Sequence, residues 1–324
     1  MPEPFHVELV VVNMFHGEAQ AWIERFPLEE QVSFPAGYAP LRMNRELGVV
    51  GLVTGVGTTA AAASVMALGM DPRFDLSDAY WLIAGIGGGN PELVSVGSVA
   101  WAEWVVDCDL VHEIDAREIP DRWSTGRIPL FRKRPFEEPP GDSLGEVWRL
   151  NSSLVSWAFG LTKDMQLPDD PGLANLRAGF PAYPQAQQPP SVVRGDTLSG
   201  QTLWHGKRMN EWATHWMSYW TAGNGTFATT AMEDSGSLLA LQRLDSARKA
   251  NYQQVLVMRA VCNYSFQPDD LDAAQSLARE EKSNYSAYKP ALDSAYIVGS
   301  RVALEILGRQ QKDRRRGAFV ENLP

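Results

Sequence analysis

The sequence predicts an α/β fold of three layers, with helices on both faces of a mixed, mostly buried central sheet. Short apolar runs rich in β-branched residues recur along the chain, and segments with the helical spacing of apolar residues stand between them. Composition agrees, since 44% hydrophobic and 21% charged residues are ordinary values for a globular protein. With 324 residues, the chain can bury a full core without disulfides.

Strands are predicted at apolar runs that are bounded by polar residues or glycine. They are Val7–Val12, Val49–Thr54, Tyr80–Ala84, Ser98–Val106, Ser191–Arg194, Phe227–Ala231 and Val255–Val261. The run at Ser98–Val106 alternates in polarity and is expected to form one long strand. The strand at Tyr80–Ala84 is expected to end in a glycine loop, Gly85–Gly89.

Helices are predicted at segments whose apolar residues share one face. They are Ala19–Arg25, Thr58–Leu68, Met209–Trp220, Ser237–Arg248, Asp270–Lys282 and Leu292–Gln311. In one of them Trp212, Trp216 and Trp220 recur every four residues, which is typical of a core stripe. Stacking of Trp204 or Trp212 on a ligand is the alternative interpretation.

Residues 117–190 interrupt the alternation of strands and helices. They are rich in proline, arginine, aspartate and glutamine, and they contain the irregular segments PFEEPPGD and PQAQQPPS. We interpret them as a loop-rich insertion around one or two helices, within a single domain of residues 1–324.

Charge and hydropathy exclude two classes of partner. The formal net charge of −10, from 29 basic and 39 acidic residues, argues against nucleic acid, which requires a basic face. The one basic run, Lys312–Arg316, is expected to be solvated at the end of the last helix, where it complements the helix dipole. No apolar run approaches the ~20 residues that span a bilayer, so no membrane partner is expected.

The cysteines and the N-terminus bear on the cellular compartment. Cys108 and Cys262 lie in separate strand-like segments and are too few for a disulfide framework, so two reduced, buried thiols are predicted. The N-terminus lacks the basic residues and long apolar stretch of a secretory leader. A soluble cytoplasmic protein is expected, and a secreted or periplasmic location stays open if a leader has been removed.

Two segments carry the residues with the clearest chemistry. Met232 and Glu233 follow a strand, where they can pack on one face of a ribose and accept hydrogen bonds from its hydroxyls. Asn263 follows the next strand, where a polar side chain can receive a purine leaving group. This pairing indicates cleavage of an N-glycosidic bond. No His, Cys, Asp or Glu residues have metal-ligand spacing, so neither a metal nor another cofactor is expected.

Four motifs resemble the nucleoside phosphorylase and methylthioadenosine nucleosidase superfamily and, more closely, its branch called purine nucleoside permeases. They are TGVGTTAAAASVMAL, IAGIGGGNPELVSVGSVAWAEWVVDCD, VVRGDTLSG, and the Met-Glu pair with RAVCN. The resemblance covers roughly residues 7–110 and 190–310 and implies the same α/β fold. It implies a substrate-binding role for Phe15, Gly57, Gly87, Gly88, Leu198, Met232 and Glu233.

Two positions depart from the phosphorylases of this superfamily. Those enzymes hold phosphate with an arginine just before the second glycine loop and a serine or threonine within it, where this chain has Ile83 and Ile86. Aliphatic side chains donate no hydrogen bonds to a dianion and would leave it desolvated. The turn at Gly55–Gly57 still offers backbone N–H groups at a helix N-terminus. The departures favour hydrolysis and weaken phosphorolysis.

The resemblance also implies a catalytic glutamate. Hydrolytic members carry one after the first strand, where it activates the attacking water, and Glu18 fits this position with a small offset. A first-turn glutamate that only complements the helix dipole is the alternative, and Glu24 is the fallback, although it is expected to face away. Asn263 stands where relatives hold aspartate or asparagine; its amide can bridge N7 and an exocyclic oxygen but donates no proton at neutral pH.

The sequence therefore predicts a purine nucleosidase with Glu18, Asn263 and Glu233 as catalytic residues. Phosphorolysis of the same substrates is the first alternative. A non-catalytic nucleoside-binding protein linked to transport is the second, and it would need no water-activating carboxylate. His205 and His215 are expected either near the 5′-hydroxyl or at the surface. Base preference and oligomeric state are left open, and a homo-oligomer is compatible with the resemblance.

Overall fold

The structure is a computed structural model that describes residues 3–138, 140, 142–283 and 287–320. The side chains of residues 281–283 and 311–320 are not among those described, so the expectation for Lys312–Arg316 lies outside the described residues. The strands are β1 Phe5–His6, β2 Leu9–Asn13, β3 Glu30–Val32, β4 Leu41–Asn44, β5 Val49–Val53, β6 Phe74–Asp75, β7 Tyr80–Gly89, β8 Val99–Ala102, β9 Trp104–Asp107, β10 Val111–Glu113, β11 Arg127–Pro129, β12 Val147–Arg149, β13 Val192–Arg194, β14 Asp196–Ser199, β15 Phe227–Ala231 and β16 Val255–Tyr264. The helices are α1 His16–Arg25, α2 Thr58–Gly69, α3 Ser152–Thr162, α4 Pro171–Ala178, α5 Lys207–Trp220, α6 Asp234–Ser246, α7 Ala273–Ser283 and α8 Tyr288–Val320.

A mixed sheet of twelve strands forms the centre of the described chain. Strands β2, β5 and the first half of β7 run parallel in its middle. Every residue of β2 and β5 is buried, as expected for parallel strands that helices cover on both faces. Strands β3 and β4 complete one edge in antiparallel pairing. The mixed, mostly buried sheet predicted from the sequence is confirmed.

Part of the sheet closes into a ring. Strand β7 pairs with β15 and β16, β16 pairs with β8, and β15 pairs with β14, which pairs with β9. Strands β8 and β9 are successive parts of one segment, so the single strand predicted at Ser98–Val106 is wrong. The break lies at Glu103, where the Asp196 carboxylate accepts hydrogen bonds from the backbone N–H groups of Glu103 (2.9 Å) and Trp104 (2.7 Å). The chain can therefore change neighbours without leaving buried donors unpaired.

The helices form two groups that share one core. Helix α8 packs on β7 and β16 and contacts α1 and α3, whereas α2 packs against α6. Trp22 of α1, Val65 of α2, Leu241 of α6 and Val298 of α8 belong to the same buried cluster as the central strands. These contacts account for the layered arrangement, because each helix buries one apolar stripe against the sheet or a neighbouring helix.

The glycine-rich segment after Ala84 is a strand and not the predicted loop. Strand β7 continues to Gly89 and pairs in parallel with β16 along this stretch. A Cβ at Gly87 would collide with the carbonyl oxygen of Thr230 in β15, and one at Gly89 would collide with the Val261 side chain of β16. The glycines thus permit three strands to approach one another closely.

The structure describes two helices within residues 117–190, α3 and α4, in agreement with the sequence. The segment is nevertheless more than surface loops. Strand β12 pairs with β9 and extends the central sheet, and α3 packs on α8. Trp148 and Val155 of this segment belong to the main core. These contacts favour a single domain, which stays a prediction.

Candidate active site

A cavity of about 350 Å³ lies where the C-terminal ends of β7 and β16 meet β15, beside the first turn of α1. Its volume falls in the range of about 300–1,000 Å³ that small-molecule sites occupy. It brings together seven of the predicted site residues, Phe15, Glu18, Gly87, Gly88, Met232, Glu233 and Asn263. Other residues that line it include Met14, Ile86, Trp204, Arg259, Cys262 and Tyr288.

Glu18 is a buried carboxyl in the first turn of α1. Its Oε2 accepts a hydrogen bond from the backbone N–H of Met14 (2.7 Å), and its Oε1 accepts one from the backbone N–H of Ile86 (2.7 Å). Burial raises the pKa of Glu18 to about 7, although the nearby Arg259 guanidinium and the two N–H donors oppose the shift. The side chain can therefore hold or release a proton near neutral pH.

Arg259 lines the cavity, although no role was predicted for it. It lies in β16 with 1% of its surface exposed. Its Nε donates to Asp234 (3.1 Å), its Nη2 to Glu233 (3.1 Å) and Asp234, and its Nη1 to the Ile86 carbonyl oxygen (3.0 Å). Burial alone would lower its pKa, but the Asp234 and Glu233 carboxylates raise it above the usual arginine value. An arginine inside the apolar run VLVMRAV is the signal that could have revealed it, since a buried charge requires partners.

Glu233 immediately precedes α6 and lies between two parts of the fold. Its Oε1 accepts a hydrogen bond from the Gly57 backbone N–H (3.2 Å), and its Oε2 accepts from the backbone N–H of Met232 (3.2 Å) and from Arg259. Burial raises its pKa, Arg259 lowers it, and the neighbouring Asp234 carboxylate raises it further. Gly57 thus holds the Glu233 carboxylate through its backbone N–H but does not line the cavity.

Asn263 has a defined side-chain orientation. Its Nδ2 donates to the carbonyl oxygen of Tyr264 (3.0 Å), and its Oδ1 accepts from the Cys262 thiol (3.1 Å). Burial raises the pKa of Cys262 to about 12, which keeps the thiol protonated as a donor. One N–H of the amide and one oxygen lone pair are left for a ligand. Both Cys262 and Cys108 are free and buried, as predicted.

Leu198, like Gly57, is a predicted binding residue that does not line the cavity. It is fully buried in β14 and belongs to a second apolar cluster with Cys108 and Trp216. The same cluster contains residues of β9, α5 and β15, among them Val106, Trp212 and Phe227. An implied binding role for Leu198 has no support in the geometry.

The tryptophans separate into two roles. Trp212, Trp216 and Trp220 belong to the second cluster, as the core-stripe interpretation predicts, and Trp204 belongs to this cluster but also lines the cavity. His205 and His215 do not line it; the His205 Nε2 lies 3.1 Å from the Ser276 hydroxyl. The fallback base, Glu24, is exposed and accepts a hydrogen bond from Gln20 on the same helix. Six of the residues considered above therefore do not line the cavity: Trp212, Trp216, Trp220, His205, His215 and Glu24.

Two further features of the described residues bear on metal binding and on membrane insertion. No group of three or more His, Cys, Asp and Glu side chains in this part of the chain is placed to hold a metal ion. None of its helices combines the length and hydropathy needed to cross a membrane.

The chain matches the purine nucleoside permease family over residues 6–316. A probable purine nucleoside permease of Schizosaccharomyces pombe is 29% identical over 310 residues, which cover 91% of this chain and 88% of that protein. A purine nucleoside permease of Candida albicans is 26% identical over 310 residues, which cover 93% of this chain and 75% of that protein.

Solved structures with the same fold carry different names. The futalosine hydrolase of Helicobacter pylori strain 26695 has a TM-score of 0.57 at 12% identity and covers 92% of this chain and 98% of its own. The 5′-methylthioadenosine/S-adenosylhomocysteine nucleosidase of Helicobacter pylori has a TM-score of 0.56 at 14% identity. The match covers 92% of this chain and 99% of that chain. At these identities the likeness shows the fold alone. The family match spans nearly the whole chain, and the protein belongs to the purine nucleoside permease family.

Proposed function

We propose that this protein hydrolyses the N-glycosidic bond of purine ribonucleosides and releases the free base and ribose. The observation that carries the proposal is Glu18, a buried carboxyl that lines the cavity and whose pKa burial raises to about 7. A general base works best when its pKa lies near the operating pH. Glu233 and Arg259 line the same cavity, so a base and a charged ribose site are close together.

In the proposed reaction, a water molecule lies between Glu18 and C1′ of the bound nucleoside. Glu18 removes a proton from the water as its oxygen bonds to C1′ and the C1′–N9 bond breaks. The electron pair of that bond goes to the purine, which accepts a hydrogen bond from the Asn263 amide and takes its proton from solvent. Glu233 accepts hydrogen bonds from the ribose hydroxyls, and its charge stabilises the oxocarbenium-like transition state.

The pairing of the positive charge in the cavity with carboxylates supports water over phosphate as the attacking group. Arg259 is the one Lys or Arg among the cavity-lining residues that the structure describes. Its donors are directed to Asp234, Glu233 and the Ile86 carbonyl oxygen, so they are not available to clamp a dianion. The Gly57 N–H, which a helix N-terminus could offer to an anion, is directed to Glu233.

The relatives' names support a nucleoside as the ligand, but they disagree on whether it is cleaved. The curated relatives are named permeases, and two structural neighbours are named a nucleosidase and a hydrolase. Binding without cleavage is the second candidate function because of the first set of names. A binder has no need of a buried carboxyl with a pKa near 7, and for that reason we favour the hydrolase.

The proposal is tested by incubating the protein with inosine in phosphate-free buffer and measuring free ribose and hypoxanthine. We expect ribose to form at a rate that added phosphate does not change. Ribose 1-phosphate as the main product would replace the proposal with phosphorolysis. Binding of inosine by calorimetry with no cleavage would replace it with the transport-associated function.

The matched control for this experiment comes from one helix. Glu18→Ala should abolish ribose release and leave inosine binding nearly intact, because a base contacts the water more than the substrate. Glu24→Ala also removes a carboxylate from this helix. Because the Glu24 side chain is exposed, the activity of this variant should stay close to that of wild type. Equal losses in the two variants would show that Glu18 has no specific role.

A further inference from the structure

A second cavity meets the candidate active site at Asn263. Its volume is about 200 Å³, and it lies between α4, α7 and the end of β16. Asn263 lines both cavities, and the second one is also lined by Asn175, Ser276 and Glu280. A polar cavity of this size can hold several water molecules, because each one takes about 30 Å³ in the liquid and needs polar partners.

Ser276 and His205 connect this second cavity to solvent. Ser276 is buried, with 2% of its surface exposed, and its hydroxyl oxygen lies 3.1 Å from the Nε2 of His205. His205 is half-buried and lines a third cavity, of about 530 Å³, at the start of α5. Lys207 and Glu211 also line this third cavity and are exposed. One hydrogen bond therefore joins a cavity that is open to solvent to a cavity that reaches Asn263.

The ionisation of His205 suits the transfer of a proton. Burial lowers its pKa, and the charge of Glu280 opposes this effect. Glu280 follows Ser276 by one turn of α7, so both side chains lie on the same face of the helix. A neutral imidazole can take a proton at one nitrogen while it releases one from the other. The carboxylate would stabilise the positive charge that passes through the ring.

We propose that His205 and Ser276 form a proton relay, which supplies the leaving purine with a proton from solvent through the second cavity. The relay rests on the proposed hydrolysis, in which the purine needs a proton that the Asn263 amide does not provide. As the C1′–N9 bond breaks, its electron pair goes to the purine ring, and a water molecule at Asn263 donates a proton to the purine.

The remaining steps return a proton to that water molecule. The Ser276 hydroxyl gives its proton to the water chain in the second cavity. Its oxygen takes the Nε2 proton of His205, in the tautomer that carries a proton there, while Nδ1 takes a proton from solvent. One proton thus moves from solvent to the purine, and each relay group regains its proton.

Two leaving groups distinguish a proton relay from a structural role. Hypoxanthine needs a proton as it leaves inosine, whereas nitrophenolate leaves 4-nitrophenyl β-D-ribofuranoside as a stable anion. In Ser276→Ala, kcat for inosine should fall on the order of 10²-fold, while kcat for the nitrophenyl riboside should stay within about twofold of wild type. A structural role would lower both rates. Thermal melting checks that the variant is folded.

His205→Ala tests the outer end of the relay. It should lose a similar part of its activity toward inosine, and added imidazole should restore much of it, because the cavity at His205 is open to solvent. His215→Ala is the matched control, since His215 is exposed on α5 and lines none of the three cavities. The control should cleave both substrates at the wild-type rate, with or without imidazole.

The outcomes separate the relay from the proposed function. Wild type that cleaves neither substrate would contradict the proposed hydrolysis and the relay with it. If wild type cleaves inosine, equal losses on both substrates in Ser276→Ala, or a His205→Ala variant that imidazole does not rescue, would overturn the relay and leave hydrolysis standing. Unchanged inosine rates in the two variants would overturn it as well. If wild type cleaves inosine but not the nitrophenyl riboside, the imidazole rescue decides.

Discussion

Ionisation of Glu18 bears on stability and on the proposed catalysis. Its pKa is raised from 4.5 to about 7 because burial penalises the charged form. Below pH 4.5 the group is protonated in the folded and the unfolded chain, so it costs nothing. Between pH 4.5 and 7 this carboxyl is ionised in the unfolded chain but still protonated in the folded chain. The free energy of unfolding therefore falls across this interval, and the loss is complete once the pH has risen through 7. The charged carboxylate that the proposed chemistry needs is therefore the less stable form.

The first prediction concerns stability against pH. Glu18→Gln removes the ionisation, so wild type alone loses stability through this group as the pH rises. The free energy of unfolding of Glu18→Gln minus that of wild type should therefore increase from pH 5 to pH 8. The change should be a few kcal/mol at most, since each pKa unit of difference corresponds to about 1.4 kcal/mol. Urea unfolding at both pH values measures it, with Glu24→Gln as the exposed control. A constant difference between Glu18→Gln and wild type at the two pH values would contradict the raised pKa.

The second prediction concerns the rate. Because the proposed mechanism requires an ionised Glu18 to accept a proton from water, kcat for inosine should rise with pH through about 7 and then level. Glu18→Gln should lower kcat on the order of 10²–10⁴-fold and should lose this pH dependence. Steady-state kinetics between pH 5 and pH 9 provide the measurement. A variant that keeps the wild-type profile would mean that another group is the base.

The third prediction concerns Asn263 and the choice of base. In Asn263→Asp a carboxylate oxygen would face the Tyr264 carbonyl oxygen, which the amide N–H now contacts, so the new side chain is favoured in its protonated form. When a nucleoside binds, this one proton can be donated to purine N7 in place of the Tyr264 carbonyl oxygen, and the other carboxyl oxygen then suits a 6-amino group better than a 6-oxo group. The ratio of kcat/KM for adenosine to that for inosine should rise about 5–150-fold, which corresponds to about 1–3 kcal/mol. An unchanged ratio would show that Asn263 does not contact the base.

At the scale of the elements, the glycines of β7 allow strands β7, β15 and β16 to approach one another closely beside the cavity. Gly87→Ala should destabilise the protein by about 1–3 kcal/mol, because its Cβ would collide with the Thr230 backbone, which cannot move without disturbing β15. Gly160→Ala in α3 is the matched control. A Cβ there meets nothing within 4 Å, so helix propensity should make it neutral or stabilising by up to about 1 kcal/mol. Thermal or urea unfolding compares the two, and equal effects would contradict the packing argument.

At the scale of the whole molecule, Arg259 connects β16 to the start of α6 and to the end of β7. Arg259→Met should cost about 3–5 kcal/mol, because it leaves the buried Glu233 and Asp234 carboxylates without their cation. Arg25→Met also breaks an ion pair, with Asp293 at 3.1 Å, but both partners are partly exposed. It should cost no more than about 1 kcal/mol. A similar loss for the two variants in urea unfolding would show that burial does not govern the Arg259 cluster.

The sequence by itself determined the fold class, most of the elements and a large part of the cavity lining. Apolar periodicity suffices for strands such as β5, which lies within the predicted Val49–Thr54, because burial on both faces leaves a continuous run of apolar residues and glycine. Motif resemblance was enough to nominate Glu18, Glu233 and Asn263, which meet in one cavity. Their catalytic roles stay proposals, since contact geometry does not measure a rate.

Tertiary structure alone decided the features that depend on contacts between distant segments. The break at Glu103 is set by the carboxylate of Asp196, and the extended strand at Gly85–Gly89 is set by its neighbours β15 and β16. Arg259 is hidden in an apolar run because its partners, Asp234 among them, come from another element. Local sequence reports the preference of a segment for helix or strand, whereas hydrogen bonds and pKa values depend on which groups the fold brings within a few ångströms of each other.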